Sequence, residues 1–536
     1  MSRDKITVNE LSHHEGQTVK LDEAGFMPLP PPYDKLEANP RIKELTDDQK
    51  ARYECSLDGV SVVMLKRPET ESEKKELIGK FLSGLKKLFD KDDNWTFIQP
   101  LLLTMDYCAN CQTCSEACPV FKESGGIEIY RPTYRSDILR RLYSKYIKAG
   151  GKFLARLSGN DIDVTWDLIA RLIELSYRCT ICRRCAQTCP IGADNGLVTH
   201  ELRKLFSQEM GISVKQLHEL GSVQQLEKGS STGMTPIAFK DNIEFMEDEV
   251  KERTGMDFKW PMDKEGADIL LIHNAGEFLA WPENPEAFAI VLEAAGINYT
   301  LSSDLVGYDG VNYGLWYDDV QLAKVALKHA QVAKKLGVKK IVIGECGHSH
   351  KALTVVADRI FTGEYNIPRE SALTLLNDIV KSGRLKLDPS RNDFHVTLHD
   401  PCNMVRLMGI VEPQREIIRA ICPHFREMTP SGVRNYCCGG GSGFAIMPNT
   451  NFPDWRHVVA GRAKLRQVLD VFSDVIEPEH RKYLCAPCSN CKGQIRELFS
   501  AYGVFEKCNI LYGGLVELIV NAMADIKEPF LEWEWH

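Results

Sequence analysis

The sequence predicts an α/β protein in which an all-helical domain precedes two pseudo-repeated parallel α/β units. Two features predict it. From about residue 265, short apolar runs of strand length alternate with helical patterns, the texture of parallel strand–helix units. Ahead of them, two tight cysteine clusters are separated by about sixty residues that include a strongly helical stretch, Trp166–Tyr177. The chain has 536 residues, 43% of them hydrophobic. At roughly 150 residues per domain it should divide into three or four parts.

The elements follow in order. Residues 1–68 are polar and are broken by Pro28, Pro30, Pro31, Pro32 and Pro40, so they read as an extended arm. In Glu69–Asp92, Leu77, Ile78, Phe81, Leu82, Leu85, Leu88 and Phe89 recur at helical spacing beside basic residues. A core-facing helix is the expectation there, ahead of a membrane-surface one. Trp166–Tyr177 should be a helix running straight into Cys179. The first α/β pass comprises strand Ala267–Ile272, helix Glu283–Ala295, strand Asn298–Leu301, helix Asp319–Leu336 and strand Lys340–Ile343. The second comprises strand Phe394–Leu398, helices Pro413–Ile421 and Asp454–Phe472, strand Lys482–Leu484 and helix Gln494–Ala501. The expected divisions are 1–95 (arm and amphipathic helix), 96–262 (helical domain), 263–390 (first α/β unit) and 391–536 (second unit).

Net charge is −8 with acids and bases interspersed, which argues against a nucleic-acid binder. No apolar run approaches the ~18 residues of a membrane-spanning helix. Met1-Ser-Arg-Asp-Lys-Ile lacks the apolar core of a secretion signal. Eighteen cysteines in so long a chain suit metal ligation better than a disulfide scaffold. Ligating thiols must stay reduced, so a cytoplasmic setting is expected.

Cys108-x2-Cys111-x2-Cys114-x3-Cys118-Pro119 and Cys179-x2-Cys182-x2-Cys185-x3-Cys189-Pro190 have the ligand spacing of paired [4Fe–4S] clusters. Three cysteines on one turn hold three corners of a cube, and the fourth reaches the neighbouring cube. One cluster is therefore expected on Cys108, Cys111, Cys114 and Cys189, the other on Cys179, Cys182, Cys185 and Cys118. Structural zinc is the rival. Zinc sites, however, usually place two Cys-x2-Cys pairs a dozen or more residues apart.

A second constellation sits where the second unit's strands end: His399-Asp400-Pro401-Cys402, Cys437-Cys438-Gly439-Gly440-Gly441-Ser442-Gly443 and Cys485-Ala486-Pro487-Cys488-Ser489-Asn490-Cys491. Ligands gather beyond the carboxyl ends of parallel strands. Adjacent cysteines diverge and serve one cubane poorly, but they can hold an unusual cluster with two irons close together. The glycines would let backbone approach a bulky inorganic ligand. A phosphate-cradling loop is the rival reading of the glycine run, and no Gly-Lys-Ser/Thr follows it. Cys55, Cys422 and Cys508 read as small buried hydrophobes, and His13-His14 as a solvated tail.

Cys402, Cys437-Cys438-Gly439 and Cys488-x2-Cys491 resemble the CCG domain of heterodisulfide reductases and their relatives. With the two cysteine motifs ahead of it, the chain from about 95 to 525 resembles that family, in its branch serving dissimilatory sulfur metabolism. The resemblance implies an all-helical ferredoxin-like domain, two CCG units, two cubane [4Fe–4S] clusters and one noncubane [4Fe–4S] cluster. The noncubane ligands would be Cys402, Cys437, Cys438, Cys488 and Cys491, with Cys485 outside the pattern. The first unit departs from it, with His273, Asn312-Tyr313-Gly314 and Ser349 where cysteines would stand. Only Cys346 survives there.

The implied activity is an oxidoreductase taking electrons from a membrane haem b subunit, DsrM-like, and cleaving or forming a disulfide or trisulfide on a small DsrC-like protein. Other subunits of the complex would hold it to the cytoplasmic membrane. Cys437, Cys438, Cys346 and His348 are the candidate catalytic residues, with His399, Arg406 and Lys492 as candidate charge or proton partners. The alternative is an electron-relay subunit of a glycolate, lactate or glycerol-3-phosphate dehydrogenase complex. A zinc-stapled scaffold is the third reading.

Overall fold

The computed structural model describes Leu65 and residues 68–533, apart from 127, 447–454 and 528. The proline-broken arm, His13-His14 and Cys55 lie outside the described residues. The first helix, Glu71–Leu88, starts at Thr70, whose hydroxyl accepts from the Glu73 N–H while the Glu73 carboxylate accepts from the Thr70 N–H. Glu71 and Glu73 in its first turn and Lys86 and Lys87 in its last complement the helix dipole. Phe81, Leu85 and Leu88 are buried, and Phe81 stacks on Phe206 of helix Asn195–Gln208 with ring centroids 6.3 Å apart. Gly84 permits this approach, because a Cβ there would lie 2.7 Å from Leu205 Cγ. The expected core-facing helix is therefore observed, and its apolar stripe is not left for a membrane surface.

The helical region continues through Ile98–Tyr107, Pro132–Tyr146, Trp166–Tyr177, Asn195–Gln208 and Pro236–Thr254. Trp166–Tyr177 begins at Thr165, whose side chain caps Leu168 N–H, and it is buried almost all round. Its WDLIARLIELSY sequence is apolar on more than one face, as a helix enclosed by others requires. Arg178 ends it, one residue before the second cysteine motif.

Two four-stranded parallel sheets follow. Strands β1 (Ile269–Ile272), β2 (Tyr299–Thr300), β3 (Lys340–Ile343) and β4 (Arg369–Ser371) take the order β2-β1-β3-β4. Strands β5 (His395–Leu398), β6 (His424–Arg426), β7 (Lys482–Cys485) and β8 (Ile510–Gly513) take the order β6-β5-β7-β8. Leu271 pairs with Val342, and Thr397 with Leu484. The α/β class is as expected. The reading missed β4, β6 and β8, all edge strands. Arg-Glu-Ser and His-Phe-Arg are too short and polar to register as apolar runs.

Helix Asp454–Phe472 departs from expectation. Within its described part the chain makes a widened turn at Arg456–Ala460, and a regular helix follows at Arg462–Val471. Gly461 at the junction lies against Gly439, where a Cβ would stand 2.5 Å from the Gly461 nitrogen. The helix opens where the glycine loop presses on it.

One apolar cluster spans both sheets. It contains Leu271 of β1 and Val396 of β5, joined by helices Glu283–Ala294 and Leu515–Ala522. Phe288, Leu292, Leu518 and Ile519 are fully buried there, each worth about 1.5–3 kcal/mol of transfer energy. This core turns the carboxyl ends of β1, β3, β5 and β7 toward one another. Among the described residues no helix is long and apolar enough to cross a membrane.

Candidate metal centres

The first two cysteine motifs have one backbone shape. Asn110 and Gln112 adopt φ of 54° and 65°, and Ile181 and Arg183, at the equivalent positions, adopt 48° and 59°. A β-branched residue at positive φ is strained, so Ile181 marks a loop held by its surroundings. Alternating the hand of successive residues points N–H groups into a common concavity that suits anions. Ile181 N–H donates to Cys179 Sγ at 3.4 Å and Ala193 N–H to Cys189 Sγ at 3.3 Å. Burial pushes the Cys114 thiol up to about 12, with Cys108, Cys118 and Cys111 acting in the same direction. Burial likewise pushes Cys118 up to about 12, and Cys182 and Cys179 add to it. Thiols crowded this way ionise when a cation takes the proton's place. Cys111 remains exposed.

The second constellation assembles where the strands end. From β5 come His399 and Cys402; from the glycine loop, Cys437 and Cys438; after β7, Cys488 and Cys491. Cys438 Sγ and Cys491 Sγ are 3.4 Å apart, and His399 Nε2 lies 3.3 Å from Cys491 Sγ. Cys437 is within hydrogen-bonding reach of Cys402 and Cys438. Backbone N–H groups again face sulfur: Gly439 to Cys437 at 3.3 Å, Gly440 to Cys438 at 3.5 Å and Gly347 to Cys488 at 3.3 Å. Such N–H···S contacts stabilise thiolates and tune a metal they hold. His399, Cys438 and Cys491 alone would suit zinc, their ligand atoms lying within 4.8 Å of one another. Five converging cysteines exceed the four ligands of a structural zinc and fit a polynuclear iron–sulfur group.

The two regions meet directly. The thiol of Cys182, in the second motif, is within hydrogen-bonding reach of Cys437. Arg406 donates to the carbonyls of Cys182 at 2.7 Å, Val433 at 2.8 Å and Asn435. Arg184 donates to the Arg434 carbonyl at 2.8 Å and stands over the Tyr436 ring. Arg203, fully buried, donates to Ser176, Cys179, Trp316 and Ser442 carbonyls, binding three parts of the chain together.

The glycines have a different use from the one expected of them. A Cβ at Gly440 would lie 2.5 Å from Gln494 Cβ, and at Gly441 2.6 Å from the Thr180 carbonyl. They admit neighbouring protein at least as much as an inorganic ligand.

The remaining sequence candidates divide. Cys346 is buried beside Cys488, and burial, then Cys488, pushes its thiol up to about 11. His348 packs edge-on against Trp316 at 4.2 Å, and burial drives it down to about 3, so its ring is neutral. Lys492 faces Glu277 and Glu517 rather than the cysteines. Cys485 likewise faces Glu345 and Glu517. His273, Asn312 and Ser349, which stand where cysteines would complete the first unit, are packed core residues. His273 lies between Phe278 and Phe288, and Asn312 Nδ2 donates to the Leu322 carbonyl.

Sequence reasoning missed Lys464. Its ammonium, fully buried, donates to Asn435 Oδ1 at 2.6 Å, and burial pushes it down to about 7 against the opposing pull of Asp400, Cys438 and Cys437. On an amphipathic helix a lysine beside Arg462 and Arg466 reads as solvated. It also gave no weight to the buried pair Asp400–Arg415, two hydrogen bonds of 2.8 and 2.7 Å, which with Gly432 N–H fixes the strand end before Cys402.

Residues 104–193 match the 4Fe-4S dicluster domain family and residues 396–496 the cysteine-rich CCG domain family. The chain is similar to the Hdr-like menaquinol oxidoreductase iron-sulfur subunit 2 of Archaeoglobus fulgidus, 25% identical over 490 residues, covering 83% of each protein. It is also similar to the Hdr-like menaquinol oxidoreductase iron-sulfur subunit of Archaeoglobus profundus, 25% identical over 463 residues, covering 78% of this chain and 79% of that one. A third relative is a subunit of the dihydromethanophenazine:CoB–CoM heterodisulfide reductase of Methanosarcina barkeri, 23% identical over 437 residues, covering 80% of this chain and 96% of its own length. With its dicluster and CCG domains and these relatives, the chain is similar to the heterodisulfide-reductase-like CCG family of iron–sulfur oxidoreductases.

Proposed function

We propose that this protein moves electrons between a quinone-linked membrane partner and a sulfur–sulfur bond, in the manner of DsrK of the DsrMKJOP complex in dissimilatory sulfur metabolism. The electron partner would be a DsrM-like haem b subunit, and the substrate a disulfide or trisulfide on a small DsrC-like protein. The relatives named as menaquinol oxidoreductase and heterodisulfide reductase subunits support the two ends of this path. Attachment would be peripheral, on the cytoplasmic face, through the partner subunits.

Cys108, Cys111, Cys114 and Cys189 would hold one cubane group, and Cys179, Cys182, Cys185 and Cys118 the other. The influence of Cys182 and Cys179 on Cys118 supports that exchange of fourth ligands. Cys402, Cys437, Cys438, Cys488 and Cys491 would hold the noncubane group. When bound, these groups supply one-electron carriers and, at the CCG cysteines, the place where the sulfur–sulfur bond is cleaved or formed. The chain's own residues orient and insulate that place: Gly347, Gly439 and Gly440 N–H donate to sulfur, Arg406 and Arg203 clamp the two cysteine regions together, and Cys346 and neutral His348 line its first-unit side. The shared strand order of the two sheets supports reading them as copies of one unit, the first worn down to scaffold.

One observation carries this reading, the contact between Cys182 and Cys437. A relay serving only an outside dehydrogenase has no need to end at a crowded set of protein thiols. The test is EPR of oxidised, anaerobically prepared protein with and without the dithiol form of a DsrC-type partner. A new paramagnetic signal, lost in Cys437→Ser, is the expected result. Pale protein carrying zinc, or electron uptake from a hydroxyacid dehydrogenase subunit with no response to the dithiol, would overturn it.

A further inference from the structure

Beside the CCG cysteines lies a group of buried carboxylates that the reading above does not use. Glu345 and Glu517 come from opposite α/β units, and both are buried. Their Oε2 atoms crowd one point beside Gly514, where a Cβ would lie 2.1 Å from the first and 2.3 Å from the second. Asn284 Nδ2 bridges them, donating to Glu345 Oε2 and Glu517 Oε1 at 3.2 Å each. Glu345 Oε1 also accepts from the N–H groups of Leu515 and Val516 at 2.9 Å, where a helix begins. Two carboxyl groups crowded into one buried site do not both ionise, so one of them keeps its proton.

The pair has an outer and an inner side. Outside, Glu517 joins Trp281, Glu283, Tyr483 and Arg496 in walling a cavity of about 140 Å³. Its rim is open to solvent, the Arg496 side chain being 50% exposed and that of Glu532 48%. Inside, the Glu345 carbonyl accepts from Ser489 N–H at 2.8 Å, and Ser489 follows Cys488 in the chain. Asn274 Nδ2 reaches Ser489 Oγ at 2.9 Å and Cys346 Sγ at 3.8 Å, while Asn274 N–H donates to Glu277 Oε2 at 3.2 Å. Lys492 Nζ stands 3.7 Å from Glu517 Oε1 and 3.8 Å from Glu277 Oε1 without a hydrogen bond to either. Glu277 Oε1, Glu517 Oε2 and Asn284 Oδ1 are likewise buried with no hydrogen-bond partner. Gaps of this size between buried polar atoms suit a bridging water.

We propose that Glu345 and Glu517 form a proton relay between this cavity and the Cys346 side of the sulfur-bond site. The inference rests on the disulfide reading. Reduction of RS–SR′ breaks one S–S bond and needs two electrons and two protons to give RSH and R′SH. The electrons come from the quinol-linked partner through the iron–sulfur groups. The protons pass one at a time from the carboxyl pair, which is recharged by water in the cavity. Oxidation of the two thiols runs the same path outward. Burial, then the Glu517 charge, pushes Glu345 up to about 8, so the pair holds its proton at neutral pH and can release it. The other groups facing the pair are Glu277, Glu283, Lys492, Cys485 and Tyr483, with Lys492 as the fixed cation among them.

The test uses anaerobically prepared holoprotein, with Glu345→Gln and Glu517→Gln as two independent variants and Glu532→Gln on the cavity rim as control. Glutamine still accepts the Leu515 and Val516 N–H groups, so Glu345→Gln keeps the helix start. Infrared spectra in D2O are expected to show a protonated-carboxyl band that titrates away near pH 8 and is missing in Glu345→Gln. With reduced methyl viologen as donor and an asymmetric disulfide as acceptor, both relay variants should turn over roughly ten- to a hundredfold more slowly, with an altered pH profile. Reduction of the iron–sulfur groups by viologen alone should keep its wild-type rate, and Glu532→Gln should keep both rates. Wild-type turnover with both relay variants equally fast, or loss of stability with an unchanged pH profile, overturns the relay. If the wild type reduces no disulfide, the disulfide reading fails and the relay to the sulfur-bond site falls with it, while the infrared band still reports whether the carboxyl pair holds a proton.

Discussion

Lys464 shows how one side chain sets the character of the CCG site. It is fully buried, its hydrogen bonds go to neutral groups such as Asn435, and Asp400, Cys437 and Cys438 are the charges that favour its protonated form. A cation held in low dielectric beside thiolates stabilises added electrons. Lys464→Met should therefore lower the reduction potential of an iron–sulfur group held at the CCG cysteines while leaving groups held at the two cysteine motifs unchanged, which an EPR-monitored redox titration would read. An unchanged potential would mean that the ammonium is screened from the sulfurs. His348 has no comparable influence, because burial keeps it neutral.

At the scale of elements, the glycine loop matters as a joint. Gly441 is not in the left-handed region, so alanine costs nothing in backbone conformation there. Its Cβ would instead meet the Thr180 carbonyl at 2.6 Å, wedging the loop from the second cysteine motif. Gly441→Ala should cost about 1–3 kcal/mol by overpacking. It should also slow electron arrival at the CCG site after the motif cysteines' groups are reduced, seen by stopped-flow absorbance. An alanine variant with wild-type stability and rate would show that the contact between these elements is loose. The widened turn at Arg456–Ala460 belongs to the same joint, since Gly461 lies against Gly439.

Across the molecule, the first α/β unit is packed around buried neutral histidines. His329 sits against the Asp309 carbonyl, and burial pushes it down to about 4. His350 donates from Nδ1 to the Cys346 carbonyl and accepts at Nε2 from Ser371, a neutral tautomer with both nitrogens satisfied, and burial pushes it too down to about 4. Between about pH 4 and 6.5 the unfolded chain binds more protons at these rings than the folded one. Stability should therefore rise with pH through that window, be complete above it, and be lost as pH falls through it. Urea midpoints measured across the window should show this slope, and the double variant His329→Gln, His350→Gln should reduce it, leaving the share of His348 and His457, which burial lowers to about 3 and about 4. A slope unchanged in the double variant would place the acid sensitivity elsewhere.

The sequence by itself determined the two cysteine motifs and the class. Cysteine spacing within one turn is a local constraint that a cluster imposes directly, so Cys108 to Cys118 and Cys179 to Cys189 were legible as motifs. The alternation of apolar runs is equally local, and it gave β1, β2, β3, β5 and β7, while the polar edges β4 and β6 left no such trace. Tertiary structure alone decided what meets what. Cys182 and Cys437 are separated by more than 250 residues, and no period in the sequence relates them. Cys485, in the same stretch as Cys488, turns instead toward Glu345 and Glu517, because alternate residues at a strand's end face opposite sides. Glu345, Glu517 and Lys464 resemble ordinary surface charges in the sequence. Packing the two sheets end to end buries Glu345 and Glu517, packing within the second unit against Met428, Asn435 and Gln467 buries Lys464, and burial gives each its chemistry.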